Sequence, residues 1–263
     1  MRLALLGALV AACAPAPPPT LVDINQTATE TARAEFAAPA TLVYPGVRFS
    51  GLERYRAVLA LSFAGTVGGV AKRGSLGLDA VVDMTRPAAQ GTVSVGGDAG
   101  VFGAFPQVIT FGKTYIGGVD YVTGVAATGE ANCLAQHVNQ FDPLAYNALS
   151  PDEFLPPGEA PALAFVTQIQ PPEAGRPLWQ FRAEGFSTAT LVTATLDVWT
   201  TTGAAPRVVQ IDLQGEGHVP GQSSARGTVT LHYELTELDE PPEITLPPPC
   251  AAVTPAPQAS EGD

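Results

Sequence analysis

Apolar side chains recur at every second position over much of this chain. Leu59, Leu61 and Phe63 alternate with Ala60, Ser62 and Ala64. Leu76, Leu78, Ala80, Val82 and Met84 share one face, with Asp79 and Asp83 on the other. Val93 and Val95 mark a third segment. Val108–Phe111 and Thr114–Ile116 flank Gly112-Lys113, which reads as a hairpin turn. Trp179 and Phe181 alternate with Gln180 and Arg182, and Leu191–Trp199 leads into the turn Gly203-Ala204-Ala205-Pro206. Val209, Ile211 and Leu213 come next, and Val229, Leu231, Tyr233 and Leu235 close the series against Thr230, His232 and Glu234. A period of two in so many segments predicts a largely antiparallel sheet with one apolar face.

Residues 133–155 break the pattern. Ser150 stands where it caps a helix, with Pro151 at its first position and Glu153 as capping-box partner. This stretch predicts one or two short helices lying across the sheet. The fold class expected is therefore α+β: a strongly curved antiparallel sheet, a half-barrel, closed on one side by short helices.

The chain opens differently. Arg2, the apolar run Leu3–Leu9 and the small residues Val10-Ala11-Ala12 have the layout of a secretory signal. Ten apolar residues fall short of the roughly 20 that cross a bilayer. Val-Ala-Ala-Cys resembles the lipobox of bacterial lipoproteins, in which a cysteine such as Cys13 is lipidated and becomes the first mature residue. An ordinary signal peptide with a chance cysteine is the alternative. The expected organisation is a signal over 1–12, lipidated Cys13 and a Pro/Ala-rich linker over 13–50, a folded domain over 51–249 and a disordered tail over 250–263. Within the linker, Thr27 and Glu30 suggest a capped helix reaching Ala38. The expected location is extracytoplasmic, held to the cell membrane through Cys13.

Composition narrows the function. A formal net charge of -12 over 263 residues disfavours nucleic acid as a partner. With Cys13 lipidated, Cys133 and Cys250 remain as an even pair, either bonded in an oxidising compartment or left as two thiols.

The sequence carries no G-x-S-x-G, H-E-x-x-H, P-loop or kinase signature. The expectation is therefore no enzyme, no cofactor and no metal. His137, His218 and His232 are far apart, and each reads as a surface or strand histidine. Asp79 and Asp83 are four strand positions apart, about 13 Å, too far for an acid/base pair, and read as solvated. Trp179 and Trp199 read as core, with a ligand platform as the alternative.

Four stretches carry a resemblance. They are "FPQVITFGKTYIGGVDYV", "LSPDEFLPP" followed by "GRPLWQFRAEG", "ATLDVWTTTGAAPRVVQIDLQGEG" and "GTVTLHYELTELDEPPEITLP". Over roughly residues 55–248, in this order, the chain resembles lipoproteins of the LppX/LprG type within the LolA-like superfamily. The resemblance implies an apolar cavity between a curved sheet and helices, taking a lipid or acyl chain for binding or transport. Burying hydrocarbon is worth about 0.8 kcal/mol per CH₂, so a carrier must offer a dry apolar surface. The candidate lining is Leu59, Leu61, Phe63, Leu78, Val82, Met84, Ile109, Phe111, Phe181, Val209 and Ile211, with residues 133–155 as lid. The alternative is a structural or scaffolding envelope lipoprotein with a filled core, whose acidic face meets a protein partner the sequence does not identify.

Overall fold

A computed structural model of the chain describes residues 37–102, 109–125, 131–146, 150–156, 158–170, 176–219 and 222–255. The chain divides into Met1–Ala37 and a compact unit Ala38–Asp263. Cys13, the expected signal and the Thr27 helix cap lie outside the described residues.

The compact unit is one antiparallel sheet of twelve strands. In chain order these are β1 (Thr41–Val43), β2 (Arg54–Val67), β3 (Val70–Asp83), β4 (Ala88–Gly97), β5 (Ile109–Ile116) and β6 (Val119–Val125). The second half comprises β7 (Ala131–His137), β8 (Ala162–Ile169), β9 (Leu178–Phe186), β10 (Leu191–Thr201), β11 (Val208–Gly217) and β12 (Ala225–Glu237). Their order across the sheet is β1-β8-β9-β10-β11-β12-β2-β3-β4-β5-β6-β7, leaving β1 and β7 at the two edges.

This corrects the expected fold class. The sheet is open in its hydrogen bonding, and no helices close it. The only helical pieces among the described residues are three 3-10 turns, Pro143–Tyr146, Pro151–Glu153 and Pro248–Cys250. The physical reason lies in the stretch read as helical. Ala131–His137 lacks alternation but pairs with β6 along its whole length, so the neighbouring ladder makes it a strand. The segment after β7 has prolines at 143, 151 and 156, which limit helix to single 3-10 turns. The Ser150 cap forms: its hydroxyl accepts from the Asp152 N–H at 3.2 Å, with Pro151 at the first position.

Alternation builds the core as read. Tyr55, Ala57, Leu59, Leu61 and Phe63 of β2 are buried, as are Val229, Leu231, Tyr233 and Leu235 of β12, its direct neighbour. These join the inward residues of β3, β4 and β8–β11 in one cluster. No second layer of sheet or helix is present among the described residues.

The β5–β6 hairpin turns elsewhere than expected. Gly112 and Lys113 lie inside β5, paired with β4 and β6, and the chain reverses at Gly117-Gly118. Both of these have positive φ, 60° and 84°, which the tight two-residue turn needs and Gly-Gly supplies without strain. A Gly-Lys pair meets only half of that requirement.

Candidate functional site

The proposed cavity lining separates when placed in three dimensions. Leu59, Leu61, Phe63, Leu78, Val82, Phe181 and Ile211 are all buried, at 5% exposure or less, within the single core cluster. Phe111 is half-buried and packs at its margin. Met84 is 42% exposed just beyond β3. The side chain of Ile109 lies outside the described residues. Val209 sits at a register shift: Trp199 pairs with Gln210 while Thr200 pairs with Val208, leaving Val209 as the extra residue of a bulge. The bulge resets the alternation, so Val208 and Ile211 both face the core and Val209 is half-buried.

Two of the hollows among the described residues have a defined lining. One of about 420 Å³ is lined by Ala64, Gly65, Ala71, Lys72, Arg73 and Asp98. The other, about 330 Å³, is lined by residues 193–195, 214–216 and Thr228. Neither is lined by a residue of the proposed acyl cavity.

The expected lid is partly inside the core. Tyr146, Phe154 and Leu155 are buried in the same cluster as the strands. The carbonyl oxygen of Tyr146 would lie 2.5 Å from a Cβ on Gly91 of β4, so the backbone of this turn lies directly against the sheet, where only glycine fits. The Tyr146 hydroxyl donates to the Asp120 carboxylate of β6, and Lys113 Nζ lies 4.8 Å from the Tyr146 ring centroid. Further along, the Tyr44 hydroxyl donates to Asp152 at 2.7 Å, tying the chain after β1 to the second 3-10 turn. Burial, reinforced by the neighbouring carboxylate, pushes the phenols of Tyr44 and Tyr146 well above their ordinary range. Both phenols therefore stay protonated and donate these hydrogen bonds at neutral pH.

The two strand aspartates part company. Asp79 lies on the outer face and is paired with the Arg56 guanidinium at 2.9 and 2.6 Å. Asp83 is fully buried, contrary to its reading as solvated. It ends β3 and accepts from the Thr85 N–H and hydroxyl and from the Arg86 N–H and Nε, with Arg54 Nε 3.5 Å away. Burial opposes its ionisation, but these donors outweigh burial and hold its pKa at about 2. Asp83 is thus the structural staple of the β3–β4 turn.

Cys133 of β7 and Cys250 of the last 3-10 turn are bonded, across a sequence separation of 117. The C-terminal segment leaves β12, is held by the Leu238 N–H to the Arg54 carbonyl and by Arg86 Nη2 to the Pro242 carbonyl, and is stapled at Cys250 to the edge strand β7.

The outer face carries an arrangement that sequence reading missed. Asp197, Asp212 and His232 stand directly opposite one another on β10, β11 and β12, and Arg182 of β9 faces Asp197 from the other side. Arg182 holds Asp197 through two hydrogen bonds of 2.9 Å, and Gln180 donates to the same carboxylate at 2.9 Å. Asp212 accepts from Gln210 at 2.9 Å and lies 2.5 Å from His232 Nδ1. Two carboxylates opposite each other repel, so the flanking arginine, imidazole and amides compensate. The signal was present as polar residues in alternation, but only register places them in one row. Trp179 and Trp199 also divide: Trp179 is buried at 1% exposure, whereas Trp199 is half-buried on the outer face.

Of the other histidines, His137 is exposed at the end of edge strand β7 and His218 is half-buried just after β11. Among the described residues, no three His, Cys, Asp or Glu side chains are grouped to hold a metal ion. No helix among them is long and apolar enough to cross a membrane. No protein-family model matches the chain, and no curated protein matches its sequence.

Proposed function

We propose that this chain is a lipid-anchored, extracytoplasmic envelope protein whose sheet is a filled scaffold that meets other proteins through its polar outer face. The anchor rests on the lipobox-like Val-Ala-Ala-Cys with Cys13 at its end. The observation that carries the scaffold reading is the packing of the inner face. Seven of the residues that would line an acyl cavity are buried in one continuous core, and the two hollows described above are lined by other residues. Carrying hydrocarbon through this face would require the sheet to open and part that core. Closely packed apolar side chains resist such opening, because each lost contact and each void costs free energy.

The test is a titration of the delipidated full chain with a fluorescent sixteen-carbon acyl probe. The scaffold reading expects no saturable binding and no lipid co-purifying in stoichiometric amount. Saturable one-to-one binding that is lost on Val82→Asp, with the fold retained, would establish the carrier reading in its place.

A further inference from the structure

Trp199 projects from the outer face of a central strand, half-buried. Among the described residues its indole has no hydrogen bond, ring partner or ion pair. The bulge between Trp199 and Thr200 lies beside it, a feature that re-aims a side chain relative to a regular ladder. Its direct neighbours across the sheet are Gln180 on β9 and Gln210 on β11. Each glutamine spends its amide N–H on an aspartate, Gln180 on Asp197 and Gln210 on Asp212. That ties each amide by one N–H and leaves each glutamine with a carbonyl oxygen able to accept and a second N–H able to donate, on the strands flanking Trp199. Glu234 lies opposite Gln210 on β12 and is exposed. Arg182, the cation on the neighbouring strand, is already held by Asp197.

The geometry points to Trp199 as the docking point for an arginine side chain presented by a basic protein partner. This rests on the scaffold reading and names the chemistry of its partner. A guanidinium is planar and stacks on an indole face, an attraction strengthened by the ring quadrupole. Its N–H donors can meet a glutamine carbonyl on a flanking strand, while Glu234, two strands from Trp199, adds negative potential on one side. The field of the molecule favours the same partner, since the chain carries a formal net charge of -12. Tryptophan and arginine are also the residues on which interface affinity concentrates. Asp197 is already paired with Arg182, so exposed Glu234 is the carboxylate that disfavours an anionic ligand here.

The experiment uses the ¹⁵N-labelled full chain and a synthetic acetylated deca-arginine peptide, followed through the indole N–H resonance that Trp199→Phe removes. The expected result is a saturable shift of that resonance, with affinity falling at least tenfold in Trp199→Ala and severalfold in Glu234→Gln. Asp239→Asn, which removes an equal charge from the C-terminal segment, should leave affinity within twofold. Equal losses in Glu234→Gln and Asp239→Asn would overturn the inference, because the attraction would then be diffuse. A saturable shift with neutral maltohexaose but not with the arginine peptide would overturn it in favour of a saccharide platform. Failure of the peptide to bind while the acyl probe stays excluded would overturn this inference and leave the scaffold reading standing.

Discussion

The two tryptophans of this chain sit on neighbouring strands and on opposite sides of one sheet. Trp179 is sealed in the core, where its Nε1 donates to Gln168 at 3.3 Å. Trp199 pairs across the ladder with Gln180, the residue after Trp179, yet faces outward among amides and carboxylates. The comparison shows that one strand pattern makes two surfaces with different work. The inner face gains its stability from apolar contact, and seven of the residues expected to line a cavity are buried there in one cluster. The outer face is a lattice of polar and charged pairs, and such exposed pairs contribute little to stability.

The largest effect expected from this contrast is on Trp179. Trp179→Ala should cost about 3–5 kcal/mol by leaving a large void in the core, whereas Trp199→Ala should cost less than about 1 kcal/mol. Urea unfolding of the two variants measures the difference, and similar costs would remove the distinction between the faces.

Next comes the staple at the sheet edge. Replacing Cys133 and Cys250 by Ser releases a closure across 117 residues, for which the chain-entropy model gives about 4–5 kcal/mol and practice commonly 2–4. The unfolding midpoint should drop accordingly, and hydrogen exchange should rise first in β7 and β6. Uniform loss of protection across β9–β12 would show instead that the bond supports the whole sheet.

Asp83 provides a smaller and pH-dependent effect. Its pKa is about 2 when folded, below the ordinary carboxylate value, so its contribution is fully present above about pH 4 and is lost as pH falls towards 2. Asp83→Asn should cost about 2 kcal/mol at neutral pH and flatten the acid limb of the stability profile between those limits. An unchanged acid limb would mean that other carboxylates govern acid unfolding.

The smallest effect belongs to the outer ladder. Arg182→Ala should lower the unfolding midpoint least of the four, because the pair with Asp197 is exposed at the arginine and screened by solvent. Removing Arg182 also leaves Asp197 facing Asp212 with less compensation, so the loss should shrink at acid pH. A cost independent of pH would argue that packing of the arginine stem dominates.

Much of this fold was legible in the sequence, and the reasons for the remainder are specific. The alternation in β2, β3 and β12 named most of the buried residues there, since a period of two is a direct statement of which side is dry. The Ser150-Pro151 signal located its turn, but proline density and short length turned the expected helices into single 3-10 turns. Gly112-Lys113 resembled a turn more than it behaved like one, because Gly117-Gly118 a few residues later meets the positive-φ requirement at both positions. Asp83 looked like an outward residue by parity, yet it ends its strand, where parity no longer governs direction. Val209 was misplaced by one bulge. The outer row of Arg182, Asp197, Asp212 and His232 depends on register between strands, which a single strand's pattern does not carry.

The central claim is that the inner face has no room for hydrocarbon. Trp199→Phe leaves Trp179 as the one tryptophan in the chain, at the heart of that face. Its fluorescence can be followed while doxyl-labelled stearate is added, since the spin label quenches an indole only at close approach. The account predicts no saturable quenching of Trp179 below the concentration at which stearate forms micelles. Quenching that saturates at one stearate per chain would contradict it.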